Sequence, residues 1–494
     1  MRLHSKAVAI VIMFLFLIAS VAPMTMSIDN IEDRTKCSDD EIDWWPMFHH
    51  DVQNTGYSTS ITPNYKYVVW SFKTYGWIDS SPAVYDGKVF IGSTDGRIYC
   101  LNADNGDLIW SNQTGDGIES SPAVCNDKAY VGSEDGKLYC FDTEYGQILW
   151  TYQTGSNIIS SPVVYNDKVY FGSKDRYVYC LDAETGGKIW SYRRGELADI
   201  DFGMASSPAV NNGRIFIGGE DNKVYCLDAE RGFVIWSYTA PSCVVSAPSF
   251  YNNRIYFGCY DGNIYCLDAK NGDPFWSYRT GFSVFSSPAV TNGRVYVAGF
   301  DGVMYCLDAF TGEEIWTYLI AYWSVSSPAI CDGKVYFGDA MMGNVYCLNS
   351  ENGKKIWIHQ TGSLVESSPA VCNGRVYVGS RDGKLYCFGE EKLAPSVIIE
   401  EPSGGLYVSN KILIPLSTIL VFGSIDIKVN AQDSISGIDY VNLFLDGKEK
   451  KNFTNKPYTW IWDELSFGKH IVKVVAFDRA GNQASDEIEV WKFF

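Results

Sequence analysis

The chain has 494 residues, with 58 Asp and Glu against 40 Lys and Arg and a net charge of −18. No basic run or patch offsets that balance, which argues against nucleic acid as a partner. The length allows more than one domain, and 45 Gly, 33 Tyr and 15 Trp beside only five His suit short strands joined by tight turns, so an all-β fold is expected.

At the N-terminus, Arg2 and Lys6 precede an apolar run from Ala7 to about Ala22, the pattern of an export signal. The run falls short of the ~20 apolar residues that a membrane span needs. A cleaved signal over residues 1–26 is expected, with an uncleaved anchor or a buried helix as alternatives. Pro23 directly after Ala22 leaves the cleavage point open, and Cys37 lies too far downstream to carry a lipid. The rest of the chain offers no further transmembrane domain and is expected in an extracellular, cell-surface or periplasm-like space. The Asn112 and Asn452 sequons are read as chance triplets.

After a lead-in over residues 27–64 the chain becomes periodic. A Ser-Pro element recurs at Pro82, Pro122, Pro162, Pro208, Pro248, Pro288, Pro328 and Pro369. A Tyr-Cys element follows in step at Cys100, Cys140, Cys180, Cys226, Cys266, Cys306, Cys347 and Cys387. Each unit of about 40 residues holds four strand-like runs, in the first unit "SSPAV", "KVFIGS", "RIYCLN" and "DLIWSNQT", parted by Asp86-Gly87, Asp95-Gly96 and Asn105-Gly106. Trp110, Trp150, Trp190, Trp236, Trp276, Trp316 and Trp357 open the fourth runs, placed to dock each blade on its neighbour. The eighth tryptophan, Trp70, precedes the first unit, while the last unit ends at Phe388 without a fourth run. The expected architecture is therefore an eight-bladed β-propeller over 65–389, closed by an N-terminal strand that completes the last blade.

The stretch Cys180-x-Asp182-x-x-Thr185-Gly186-x-x-x-Trp190 resembles the docking motif of the pyrroloquinoline-quinone (PQQ) family of propellers, which includes quinoproteins and an outer-membrane assembly scaffold. Cysteine stands where the family uses a small Ala. "WWPMFHHDVQNTGYS", Trp44 to Ser58, is similar to the lead-in of exported members. The likeness spans roughly residues 44–389 and implies the fold. Quinoprotein dehydrogenases of this fold pair two adjacent cysteines with a Ca²⁺ cluster and a catalytic Asp. This chain has no adjacent cysteines, so PQQ is not expected as a cofactor, no catalytic residue is assigned, and a PQQ- and Ca²⁺-dependent dehydrogenase is the alternative. Of the 14 cysteines, eight share one repeat position and are read as buried thiols rather than disulfides. No metal site is expected, and His49 and His50 are read as structural.

The residue three before each repeated Pro belongs at the channel mouth: Asp79, Glu119, Ile159, Ala205, Val245, Phe285, Val325 and Glu366. Glu366, Asp79 and Glu119 would form one acidic arc suited to a cation or basic group, facing an apolar arc, with Trp77, Phe282, Tyr322 and Trp323 nearby. Lys174, Glu220, Tyr260, Phe300, Met341, Met342 and Arg381 vary at the tips of neighbouring loops, as in a scaffold that presents a binding surface. The candidate ligand residues are Asp79, Glu119, Glu366, Trp77, Phe285 and Trp323. A longer connection from Trp190 to Pro208 adds Arg193, Arg194, Glu196, Asp199 and Asp201.

A linker over 390–398 leads to a different unit, 399–494. Its short strand-like runs suit an immunoglobulin-like sandwich, and "SGIDYVNLFLDG" and "FDRAGN" resemble Ig-like modules of bacterial and archaeal surface proteins. The apolar run Ile412–Gly423 is expected as buried strands. The whole reads as a non-catalytic binding or scaffold protein with a protein, peptide or surface glycan as partner.

Overall fold

The computed structural model describes residues 42–64, 66–195, 206–320, 322–390, 392–434 and 436–494. The expected signal over 1–26, Cys37, and the loop residues Glu196, Asp199, Asp201 and Ala205 lie outside them. Among the described residues every regular element is a strand, and no helix is long and apolar enough to cross a membrane.

Blade 1 sets the pattern. Ala83–Tyr85, Lys88–Gly92, Arg97–Asn102 and Leu108–Gln113 pair antiparallel in chain order, from the channel outward. Asp86 and Gly87 both take positive φ, 49° and 68°, the two-residue turn whose twist matches its strands. The Asp of the next turn is fixed from within the strand it opens. Asp95 accepts the Arg97 N–H at 2.9 Å and the Tyr99 hydroxyl at 2.7 Å. This bond explains the recurring tyrosine, because the same pair forms between Tyr139 and Asp135 and between Tyr179 and Asp175.

Blades 2 to 7 repeat this order over 123–153, 163–193, 209–239, 249–279, 289–319 and 329–360. The last sheet holds Ala370–Cys372, Arg375–Gly379 and Lys384–Gly389, and takes Tyr67–Lys73 as its outer strand, with Trp70 opposite Cys387. The N-terminal strand thus closes the ring.

Neighbouring blades are joined by the outer-strand tryptophans. The Trp70 indole N–H donates to the Ala103 carbonyl at 3.1 Å, and Trp110, Trp150, Trp190, Trp236, Trp276 and Trp316 repeat this with the turn of the next blade. The turn glycine lies against the ring: a Cβ on Gly232 would stand 2.5 Å from Trp190, and its φ of +73° also favours glycine. Trp357 differs. The eighth blade lacks a turn between its third and fourth strands; among the described residues the Trp357 N–H has no partner, and the ring packs on Phe388 at 5.4 Å.

A second seam follows the channel wall. The Ser81 N–H donates to the Ser121 hydroxyl at 2.9 Å, Ser121 to Ser161, Ser161 to Ser207, and so by Ser287, Ser327 and Ser368 back to Ser81. At blade 5 Ala247 stands in the serine's place and offers Ser207 no hydroxyl.

The lead-in forms a clasp under the ring. Carbonyls of Trp45, Pro46, Val52, Gln53, Thr55 and Gly56 accept inner-strand N–H groups from blades 1, 2, 4, 5, 6 and 7. Tyr57–Ser58 adds a parallel strand to blade 7. Inside the clasp His50 lies between Asp43 at 3.1 Å and Asp51 at 3.6 Å. Burial alone would lower its pKa, but the two carboxylates outweigh that and raise it to about 9. His49 shows the opposite balance: burial dominates and lowers it to about 4.

The thirteen described cysteines are free and buried. Burial pushes repeat thiols such as Cys100, Cys140 and Cys180 up to about 12, which keeps them inert.

The C-terminal domain has ten strands. Ser396–Glu401, Ile425–Gln432 and Tyr458–Trp462 form one sheet. The other runs Lys411–Ile414, Gly405–Val408, Ile419–Phe422, Gln483–Phe493, Phe467–Asp478, Ile438–Leu445 and Lys448–Phe453. Between them lies a core with Trp462, Val421, Ile427, Leu443 and Val474. The reading of Ile412–Gly423 as buried strands is corrected for its first half. Ile419 and Val421 are buried, but Lys411–Ile414 is an edge strand with Ile412, Leu413 and Ile414 half or more exposed.

The outer face of the larger sheet is apolar at the same side. Val408, Phe422, Phe493 and Phe467 stand in register across four strands, with Phe493 5.1 Å from Phe422 and 5.2 Å from Phe467. A second row joins Ile414, Leu406, Leu420 and Trp491. Polar character returns at the Lys469–Glu489 ion pair, 2.7 Å.

Two outcomes follow. Trp316→Phe removes one of three hydrogen bonds to the Ser350 carbonyl, whose Arg294 and Tyr296 donors remain, and is expected to cost about 0.5–1 kcal/mol more than Trp357→Phe, whose indole N–H has no partner among the described residues, as read from denaturant midpoints. The His50 contribution to stability is fully present below pH 6.5 and is lost as pH rises through about 9. A His50→Gln variant should therefore flatten that part of the stability–pH curve by an amount of order 2 kcal/mol.

Candidate functional site

The first-strand connections bring the expected residues together. Asp79, Glu119, Ile159, Val245, Phe285, Val325 and Glu366 line one cavity of about 160 Å³ at the channel mouth, with the serine seam as its wall. Phe48 of the clasp lines it too. Each loop tip is tied to the connection beside it: the backbone N–H of Glu134, Lys174, Tyr260, Phe300 and Arg381 donates to the carbonyl of Gly117, Asn157, Cys243, Ser283 and Leu364 respectively. These bonds place each tip beside the channel residue of its own blade.

The acidic arc exists, but it is not open to a cation as the sequence suggested. Arg381 fills it from within. Its Nε donates to both Asp79 oxygens at 2.9 and 3.2 Å and its Nη2 to Glu366 at 2.8 Å, while Trp77 lies 5.0 Å from the guanidinium carbon. Such a forked, charge-assisted arrangement holds the arginine in place. Glu119 remains outside this network, with no hydrogen bond recorded among the described residues. Burial, then the charges of Glu134 and Asp79, raise its pKa to about 7, although Arg381 opposes them. Glu366 is also raised, chiefly by burial.

The opposite side is an aromatic shelf. Phe285 meets Tyr260 at 5.7 Å and Phe300 at 5.1 Å, edge to face. Phe300 in turn stacks on Trp323 at 5.3 Å and on Phe282 at 6.0 Å. Trp323 is 39 % and Phe282 57 % exposed, so the shelf presents ring surface to solvent. Between the two arcs Lys174 and Glu220 form an ion pair at 3.0 Å, both largely buried. Arg194 does not join the open face. It bridges blades 3 and 4 through the carbonyls of Ser173 and Gly218.

Three parts of this site escaped the sequence reading: the Phe48 floor, the Arg381 clamp and the Lys174–Glu220 pair. The signal for the last two was the variable residue before the recurring turn Asp, at Lys174, Glu220 and Arg381, read around the ring rather than along the chain.

Comparisons with known proteins fit this geometry. The repeats match the family described as "Outer membrane protein assembly factor BamB" over residues 94–209, 174–287 and 261–391. The chain belongs to this family. Residues 395–474 match the bacterial Ig domain. Among solved structures, the BamB-type propeller is similar to BamB from Moraxella catarrhalis at 20 % identity and a TM-score of 0.59, covering 66 % of this chain and 99 % of that one. A europium-containing methanol dehydrogenase (16 %, TM-score 0.59, 70 % and 98 % covered) and the quinohemoprotein alcohol dehydrogenase of Comamonas testosteroni (16 %, 0.58, 74 % and 83 %) share the fold. Curated proteins give no match.

Those dehydrogenases raise the question of PQQ, a tricarboxylate. Three carboxylates border the cavity, the nearest cation is already shared by two of them, and Phe48 lines the small volume. Among the described residues no cluster of three His, Cys, Asp or Glu could hold a metal ion.

A pH test isolates the odd carboxylate. With a folded pKa raised from 4.5 to about 7, Glu119 favours the folded state below pH 4.5, and that advantage is lost as pH rises through 7. Glu119→Gln is expected to gain about 1 kcal/mol over wild type at pH 8 relative to pH 4, allowing for solvent screening, as measured by denaturant unfolding at both values.

Proposed function

We propose that the BamB-type propeller is a non-catalytic platform that binds a protein or peptide across its channel mouth, in an exported or cell-surface protein. The observation that carries the reading is the amphipathic mouth. An exposed aromatic shelf on blades 5 to 7 faces a pre-paired Arg381 clamp on blades 8 and 1 across the cavity. Rigid aromatic rings beside an arginine are the anchors from which protein recognition is built. An extended segment can cross between the arcs beside Phe48, which also lines the cavity. Family membership supports the same direction, since BamB is described as an assembly factor, and the bacterial Ig domain suits an envelope or extracellular setting.

The test pans a random peptide library on the immobilised full chain and measures the enriched peptides by calorimetry. Trp323→Ala and Phe282→Ala are each expected to weaken binding about tenfold or more, with unfolding midpoints unchanged. A parallel titration with PQQ and Ca²⁺ is expected to give no heat. Tight quinone binding, or peptide binding indifferent to both substitutions, would sink the platform reading.

A further inference from the structure

We infer that Asn452 carries an N-linked glycan and that Asn112 does not. Each heads a sequon, Asn112-Gln113-Thr114 and Asn452-Phe453-Thr454, the triplet by which exported chains are modified. In sequence alone both pass for chance triplets; their surroundings in the fold separate them. The inference rests on the export proposed above and goes beyond it by assigning the modified atom.

At Asn112 the triplet is committed to the joint between blades 1 and 2. The residue is half-buried in the outer strand Leu108–Gln113, and its amide nitrogen donates to the Gly146 carbonyl at 2.8 Å, beside the Trp110 ring that lies over Gly146. Thr114, whose hydroxyl completes the sequon, is 6 % exposed. That hydroxyl is held by the Gly96 and Asp116 carbonyls, 2.8 and 2.7 Å away. A glycan on Asn112 would press on blade 2, and its sequon hydroxyl is reached only by opening the joint.

At Asn452 these conditions reverse. The residue is exposed near the end of Lys448–Phe453, the last strand of the larger sheet, which has no neighbour on its outer side among the described residues. Side chains alternate along a strand. Phe453 anchors in the core, so Asn452 and Thr454 on either side of it face solvent. The Asn452 amide nitrogen donates to the Asn442 side-chain oxygen at 2.7 Å. It has two hydrogens and glycan transfer consumes one, so that bond can persist. Among the described residues the Thr454 hydroxyl only accepts, from Asn455 at 3.4 Å, and its own hydrogen is free.

The step is a group transfer. The Asn452 amide nitrogen attacks the anomeric carbon of a lipid-phosphate-linked oligosaccharide. A C–N bond forms, the C–O bond to the lipid phosphate breaks, the amide proton is lost and the lipid phosphate leaves, with no change of oxidation state. The glycan then stands beside the open edge of the sheet, where a bulky solvated group bars pairing with a strand of another chain.

The experiment is peptide mass spectrometry on the full chain purified from the organism that makes it. The Asn452 peptide is expected to carry sugar masses and the Asn112 peptide none. Thr454→Ala should abolish the modification with the unfolding midpoint held, as for an exposed position, and Thr454→Ser should retain it. A bare Asn452 on chain recovered outside the cell overturns the inference and leaves export standing, whereas chain retained in the cytoplasm overturns both. A glycan on Asn112, or sugar that survives Thr454→Ala, also overturns it. Peptide binding at the channel mouth is independent of every one of these outcomes.

Discussion

The propeller rests on one repeated contact, in which an indole lies over the glycine of the next blade's turn and gives its N–H to a carbonyl there. A blade alone is a four-stranded sheet with two apolar faces and two open edges, and it cannot bury either face by itself. The tryptophan converts that deficit into a directional joint. Its ring covers the neighbour's turn while its N–H fixes the register between sheets, as Trp190 does with Gly232 and Ala229. The glycine is needed twice over, for its left-handed φ and for the ring's close approach. Where the turn is missing, at Trp357, the joint reverts to ring packing on Phe388.

The joint also determines what can vary. Outer strands, turns and the serine seam hold eight sheets in one arrangement, so the loop tips at the mouth are free to differ. They do so in a sorted way, aromatic on blades 5 and 6 and charged on blades 8, 2, 3 and 4. Opposed arcs of different character on one face result from this freedom.

Much of the fold was legible because it is written in side chains at a constant spacing. The Ser-Pro, Tyr-Cys and Trp series mark the strands, and the position of Trp70 ahead of the first unit discloses that the ring is closed from the N-terminus. The clasp was not legible in this way, because it works through backbone carbonyls of Pro46, Val52, Gln53 and others, which leave no side-chain pattern. The mouth was half legible. The spacing put Asp79, Glu119 and Glu366 together, but Arg381 and Asp79 are 302 residues apart in sequence, and only ring closure makes them partners. In the Ig-like domain the run from Ile412 was read as buried since apolar composition suggests a core. Whether a strand lies at the centre of a sheet or at its edge is a property of pairing, which composition does not encode.

Ring closure also bears on the order of synthesis. Thr74, at the end of the closing strand, bonds to Gly383, 309 residues further along the chain. The clasp carbonyls likewise wait for inner strands that reach to blade 7. The first-made segment of the propeller is thus the last to find its place, and the ring cannot be completed while later repeats are still on the ribosome. A chain built this way emerges with its two ends of the propeller unmatched until the final blade arrives.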